Sequence, residues 1–135
     1  RLGYSEVVVV SRRPHERQIK PASLSIVMAG YDNWTDYSEE ASIIVNTTPL
    51  GMYPETQKCP VKNHEAPFLA ESVCYDLVYN PLKTQFLKLA ESQGAETLNG
   101  IEMLIHQGNR SFELWTGKSF PLSLVHKALK KQFER

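Results

Sequence analysis

Glu6-Val7-Val8-Val9-Val10-Ser11 is a β-branched run with no polar alternation, the pattern of a strand covered on both faces in a parallel sheet. Ser23 to Ala29 alternates more, as a strand nearer an edge does. Asp36 to Ala41 predicts at most a short helix, and Ser42-Ile43-Ile44-Val45-Asn46 and Val73-Cys74-Tyr75-Asp76-Leu77-Val78 again have strand character. A further short strand-like segment precedes Asn99. Parallel-type strands separated by helices or loops predict an open α/β sheet.

The helices are marked by their ends. Asn80-Pro81 offers a cap and a first-turn proline, Leu82, Phe86, Leu89 and Ala90 fall on one face, and Gly94 is the stop. Asn99 with Glu102 three residues on has the form of a capping box. The helix it opens carries Ile101, Leu104, Ile105, Gly108, Phe112 and Trp115 on its main apolar face and Met103, Gln107, Ser111 and Leu114 on a second, with Gly117 at its end. A last helix from about Pro121 repeats Leu122, Val125, Leu129 and Phe133, leaving Lys127, Lys130 and Lys131 as a solvated outer face. Met52 to Phe68 is rich in proline and polar residues without periodicity, which predicts a surface loop.

The chain has 135 residues, 41% hydrophobic and 22% charged, enough for one domain with a core that needs no disulfide or metal. Fifteen Lys and Arg balance fifteen Asp and Glu, so no global field favours nucleic acid or an anionic membrane. Cys59 and Cys74 are the two cysteines and form no close pair; with His64 they lack zinc-finger spacing, and a reducing cytoplasm is the simplest compartment. Asn-x-Ser/Thr triplets begin at Asn33, Asn46 and Asn109, but no secretory segment accompanies them. Arg1-Leu2-Gly3 reads as the tail and closing glycine of a helix whose body lies upstream, which predicts a piece of a longer protein.

Ligands of a doubly wound sheet bind beyond the carboxyl ends of its strands. After Val10 stand Ser11-Arg12-Arg13-Pro14-His15-Glu16-Arg17. A carboxylate at such a position would bind the ribose hydroxyls of NAD, whereas arginines can grip the 2′-phosphate of NADP, so these residues favour NADP over a mere basic turn. After Val45 come Asn46-Thr47-Thr48-Pro49-Leu50-Gly51-Met52, small polar groups and a glycine that let backbone approach a ligand. Tyr79 follows the next strand, and Gln107 lies on the second face of the helix opened by Asn99-Gly100. Each suits ligand binding, and each also suits a structural role at an element end.

Three stretches together carry a family resemblance: Asn46-Thr47-Thr48-Pro49-Leu50-Gly51-Met52, Tyr75 to Leu87 with its Asp76, Tyr79, Asn80-Pro81-Leu82 and Thr84, and Asn99 to Gln107 followed by Phe112-Glu113-Leu114-Trp115-Thr116-Gly117. In this order they resemble the C-terminal NADP-binding domain of shikimate dehydrogenase over nearly the whole chain. The resemblance implies a Rossmann-like three-layer parallel sheet, incomplete at its first strand, with residues 1–135 as that domain truncated at its N-terminus. It also implies NADP as cofactor and reversible reduction of 3-dehydroshikimate to shikimate in the cytoplasm, within aromatic amino-acid biosynthesis. Arg12 matches the arginine of the family's 2′-phosphate loop, with Ser11 and Arg13 replacing the usual Asn and Thr and the distal basic residue, Arg17, one place late. Asn46 and Thr48 match a segment beside the cofactor, Leu77 and Gly100 match backbones at the nicotinamide end, and Tyr79 and Gln107 match residues that reach shikimate.

The family's glycine-rich turn and its N-terminal substrate domain, with the catalytic Lys and Asp, have no counterpart in these residues. No residue is assigned the catalytic role; Lys83 and Asp76 are read as structural. The alternatives are an NAD-using quinate/shikimate dehydrogenase, which an acidic residue after Val10 would have supported, and a non-catalytic domain that binds dinucleotide or another protein. A sheet lacking its central first strand is expected to borrow one or to close up, with the strands at Val7–Val10 and Ile43–Asn46 pairing directly, and the 135 residues alone are expected to be inactive.

Overall fold

The computed structural model describes residues 6–14 and 24–133, which divide into two compact units, one up to Ala41 and one from Ser42. In the first unit, β1 (Glu6–Val10) pairs in parallel with β2 (Ser25–Ala29), Val8 opposite Val27, and the Ser11 N–H extends the ladder to the Ala29 carbonyl at 2.9 Å. Beyond β2, the Asn33 side chain accepts from the Gly30 N–H at 2.8 Å and leads into a 3-10 turn, Trp34–Tyr37, that buries Trp34. The short helix expected from Asp36 is this turn, set two residues earlier.

The second unit holds a parallel sheet in the order β3 (Ile43–Asn46), β4 (Val73–Asp76), β5 (Glu96–Leu98). Helix α1 (Gln85–Ser92) packs on β4 and β5, so that Phe86, Leu87 and Ala90 are buried together with Cys74. Burial pushes the Cys74 thiol up to about 11, the behaviour of an apolar core residue rather than a nucleophile. Helices α2 (Ile101–Thr116) and α3 (Leu122–Phe133) pack on each other, and Phe112 of α2 meets Phe120, just ahead of α3, with ring centroids 5.8 Å apart. Gly117, at φ +69°, ends α2 as expected of a left-handed cap.

Several expectations are corrected. No residue of β1 is buried and Val7 is 39% exposed, because the described residues put no second layer over it. Ile43, Val45 and Leu98 are likewise exposed. The strand order within each unit is that of one flank of a 3-2-1-4-5-6 sheet. The Met52–Phe68 loop contains a 3-10 segment, Asn63–Leu69, anchored by buried Glu65, Ala66 and Leu69. The helix assigned to Asn80-Pro81 starts at Gln85 instead, since the Thr84 hydroxyl provides the cap by accepting from the Leu87 N–H at 3.3 Å. Of the main α2 face, Ile101 and Ile105 are buried, but Trp115 is 83% exposed because α3 and its connection cover only part of that face.

Candidate functional site

The carboxyl ends of β3, β4 and β5 are tied together by backbone. The Leu77 N–H donates to the Asn46 carbonyl at 3.0 Å, and the Gly100 N–H donates to the Val78 carbonyl at 3.2 Å. Gly100 is buried so closely against β4 that a Cβ there would lie 2.1 Å from the Leu77 carbonyl oxygen. Only glycine permits that approach. Gly100 therefore takes the N-cap position, while Asn99 accepts from the Ile101 N–H at 3.2 Å and donates to the Leu82 carbonyl at 3.2 Å. The expected capping box is absent because Glu102 turns instead to His126, 2.7 Å away.

Side chains reinforce this junction. Asn46 is buried; its Oδ1 accepts from the Thr48 N–H at 3.0 Å and from the Thr48 hydroxyl at 2.7 Å, and its Nδ2 donates to Asp76 Oδ1 at 3.0 Å and to the Leu50 carbonyl at 3.2 Å. Thr48 Oγ1 also accepts from the Leu50 N–H at 3.2 Å. Asn46 and Thr48 thus shape the loop after β3 with the very groups that the resemblance places beside a cofactor. Asp76, fully buried, receives the Val78 N–H at 3.0 Å on Oδ1 and the Thr84 hydroxyl at 2.5 Å on Oδ2. Burial raises its titration above 3.8, opposed by the donors from Thr84, Val78 and Asn46.

Sequence reasoning treated Asp76 as a structural strand residue and gave Thr84 no role of its own. The available signals were a carboxylate inside the apolar run Val73–Val78 and a threonine three residues before Leu87, in N-cap spacing. Lys83, the other charged residue considered, forms an ion pair with Glu91.

The two expected substrate residues have polar ends available. Tyr79 is half-buried, its ring 5.5 Å from that of Phe133, whereas Gln107 is exposed on α2. Among the described residues neither the Tyr79 hydroxyl nor the Gln107 amide has a hydrogen-bond partner. Gln107 lies two turns, about 10 Å, along α2 from Gly100 and on the same side of the helix.

In the first unit, Ser11 leaves the end of β1 and accepts from the Arg13 N–H at 3.3 Å, forming a side-chain turn that presents Arg12 and Arg13 as exposed residues. Arg17 lies outside the described residues.

Parallel strands with shaped loops at their carboxyl ends and helices in the crossovers define a Rossmann-like α/β domain. Residues 100–130 match the model of the shikimate 5′-dehydrogenase C-terminal domain. Shikimate dehydrogenase (NADP(+)) of Crocosphaera subtropica is 39% identical over 138 residues, covering 96% of this chain and 48% of the relative. A chorismate mutase/shikimate 5-dehydrogenase fusion protein from Clostridium acetobutylicum superposes with a TM-score of 0.77 at 29% identity, over 96% of this chain and 47% of that one. Shikimate 5-dehydrogenase from Thermus thermophilus, solved in complex with NADP(H) and shikimate, gives a TM-score of 0.64 at 31% identity, over 80% and 38%. The chain belongs with the C-terminal domains of the shikimate dehydrogenases, and it spans about half the length of the curated relatives it matches.

Proposed function

We propose that this chain is the cofactor-binding half of an NADP-dependent shikimate dehydrogenase, which reversibly reduces 3-dehydroshikimate to shikimate in cytoplasmic aromatic amino-acid biosynthesis. The observation that carries the reading is a pair of polar ends without a hydrogen-bond partner among the described residues, the Tyr79 hydroxyl and the Gln107 amide, on elements joined by the Gly100–Val78 hydrogen bond. Each can donate to or accept from a ring hydroxyl of shikimate.

The donor set fits the cofactor. Arg12 and Arg13, with Ser11 and Arg17, would hold the 2′-phosphate by charge-assisted hydrogen bonds. Leu77 and Gly100 would face the nicotinamide end with backbone, and Asn46 and Thr48 would keep the adjoining loop in shape. When bound, the nicotinamide supplies or accepts the hydride. The residues of this chain orient substrate and cofactor. Lys83 is paired with Glu91 and Asp76 is sealed in the core, in keeping with the family resemblance, which assigns proton transfer to a Lys and an Asp of the N-terminal substrate domain.

Equilibrium titration of the full-length protein with NADP and with NAD, with and without shikimate, tests this. NADP is expected to bind the more tightly and shikimate to bind in its presence. Equal affinity for the two cofactors, or no response to shikimate, would contradict the reading.

A further inference from the structure

Asp76 sits at the end of β4 with no exposed surface, and three donors from three parts of the chain converge on its carboxylate. Two of them bracket one segment. The Val78 N–H lies at the near end and the Thr84 hydroxyl at the far end of residues 77–84, the stretch that carries Leu77 and Tyr79. The third donor, Asn46 Nδ2, belongs to the residue that organises Thr48 and Leu50 in the loop after β3. A second contact joins the same parts: Gly51, at φ +92°, is packed so that a Cβ would lie 3.3 Å from Thr84 Cβ. One carboxylate therefore closes the Tyr79 segment upon itself and binds it to the neighbouring loop.

We infer that Asp76, acting with Thr84, is a positioning residue that sets the Tyr79 segment in register with the loop after β3. The inference rests on the reading of these two loops as substrate and cofactor walls. A carboxylate suits the task because it accepts all three bonds at once. An amide would keep the acceptor on one side and present N–H groups to the Thr84 hydroxyl on the other. Thr84 also caps α1, so the clamp is anchored to a helix end rather than to a loose loop.

The test uses the full-length protein with Asp76→Asn, Thr84→Val and Thr84→Ser. A misplacement of reacting groups by about an ångström costs up to roughly a hundredfold in rate, so Asp76→Asn and Thr84→Val are expected to lower kcat for shikimate oxidation by about tenfold or more. The dissociation constant for NADP, dominated by the arginines after β1, is expected to stay within about threefold, and Thr84→Ser, which keeps the hydroxyl, to restore most of the rate. Hydrogen exchange supplies a readout that needs no substrate: the Thr48, Val78 and Leu87 amides are expected to exchange about tenfold faster in Asp76→Asn, with α2 amides such as that of Leu104 unchanged.

Wild-type kcat with wild-type exchange at these amides overturns the inference, as does a uniform rise in exchange throughout the unit. Should Asp76→Asn fail to fold, the Thr84→Val and Thr84→Ser pair decides by the same two measurements. Absence of shikimate turnover in the unmodified protein defeats the functional reading, and the exchange pattern then decides whether Asp76 clamps the loops.

Discussion

The backbone of Gly100 rests directly on that of Leu77, so closely that a Cβ on Gly100 would lie 2.1 Å from the Leu77 carbonyl oxygen. The first residue before α2 and the first residue after β4 are thus in mutual contact. Gly100→Ala must push the strand end and the helix start apart, at a cost of about 1–3 kcal/mol for overpacking. Urea unfolding of the full-length protein measures it. Gly94→Ala meets no atom within 4 Å and carries only the strain of φ +84°, so it should cost less. Equal costs at the two positions would remove the close approach from the account.

Arg12 and Arg13 stand exposed after β1. Arg12→Ala is expected to weaken NADP far more than NAD, by about 1.5–3 kcal/mol for a lost charge-assisted bond. Parallel titrations with the two cofactors read the difference, and an equal loss for both would mean that Arg12 does not address the 2′-phosphate.

Tyr79→Phe preserves the ring that packs on Phe133, and Gln107→Ala removes an exposed amide, so both variants should fold. Each is expected to weaken the enzyme toward shikimate by about 0.5–1.5 kcal/mol in kcat/KM. The NADP dissociation constant should hardly move. A variant that loses NADP affinity or unfolds would assign its residue a structural role.

Burial raises the Asp76 titration above 3.8 in the folded protein, so the native state holds that proton to higher pH than the unfolded chain does. The Asp76 contribution to stability is then most favourable below 3.8 and declines as pH rises through the folded value. Compared with Asp76→Asn, which does not titrate, the wild type should gain stability on acidification from neutral pH. Urea midpoints across that interval check the sign; a relative loss on acidification would mean that the three donors outweigh desolvation.

Much of the sheet was legible because β-branched runs need no tertiary partner to be recognised: the runs Glu6–Ser11, Ser42–Asn46 and Val73–Val78 contain the strands Glu6–Val10, Ile43–Asn46 and Val73–Asp76. Gly117 marked a helix end because its left-handed backbone is a local property. The start of α1 was misread because the hydroxyl of Thr84 is oriented by Asp76, eight residues back and on another element. The capping box at Asn99 failed for a similar reason: Gly100 answers to Leu77, and Glu102 to His126. Tyr79 and Gln107 were legible as residue types in loop and helix positions, whereas the lack of partners for their polar ends among the described residues is a property of the folded surroundings. The clamp on Asp76 joins residues 30 positions apart, beyond the reach of local pattern.

The most direct measurement is steady-state turnover by the full-length protein, followed at the absorbance band of the reduced nicotinamide. With shikimate and NADP the account predicts reduction of the cofactor, slower reduction with NAD or with quinate, and the reverse reaction with 3-dehydroshikimate and NADPH. No reduction of NADP by shikimate, or a clear preference for quinate with NAD, would contradict it.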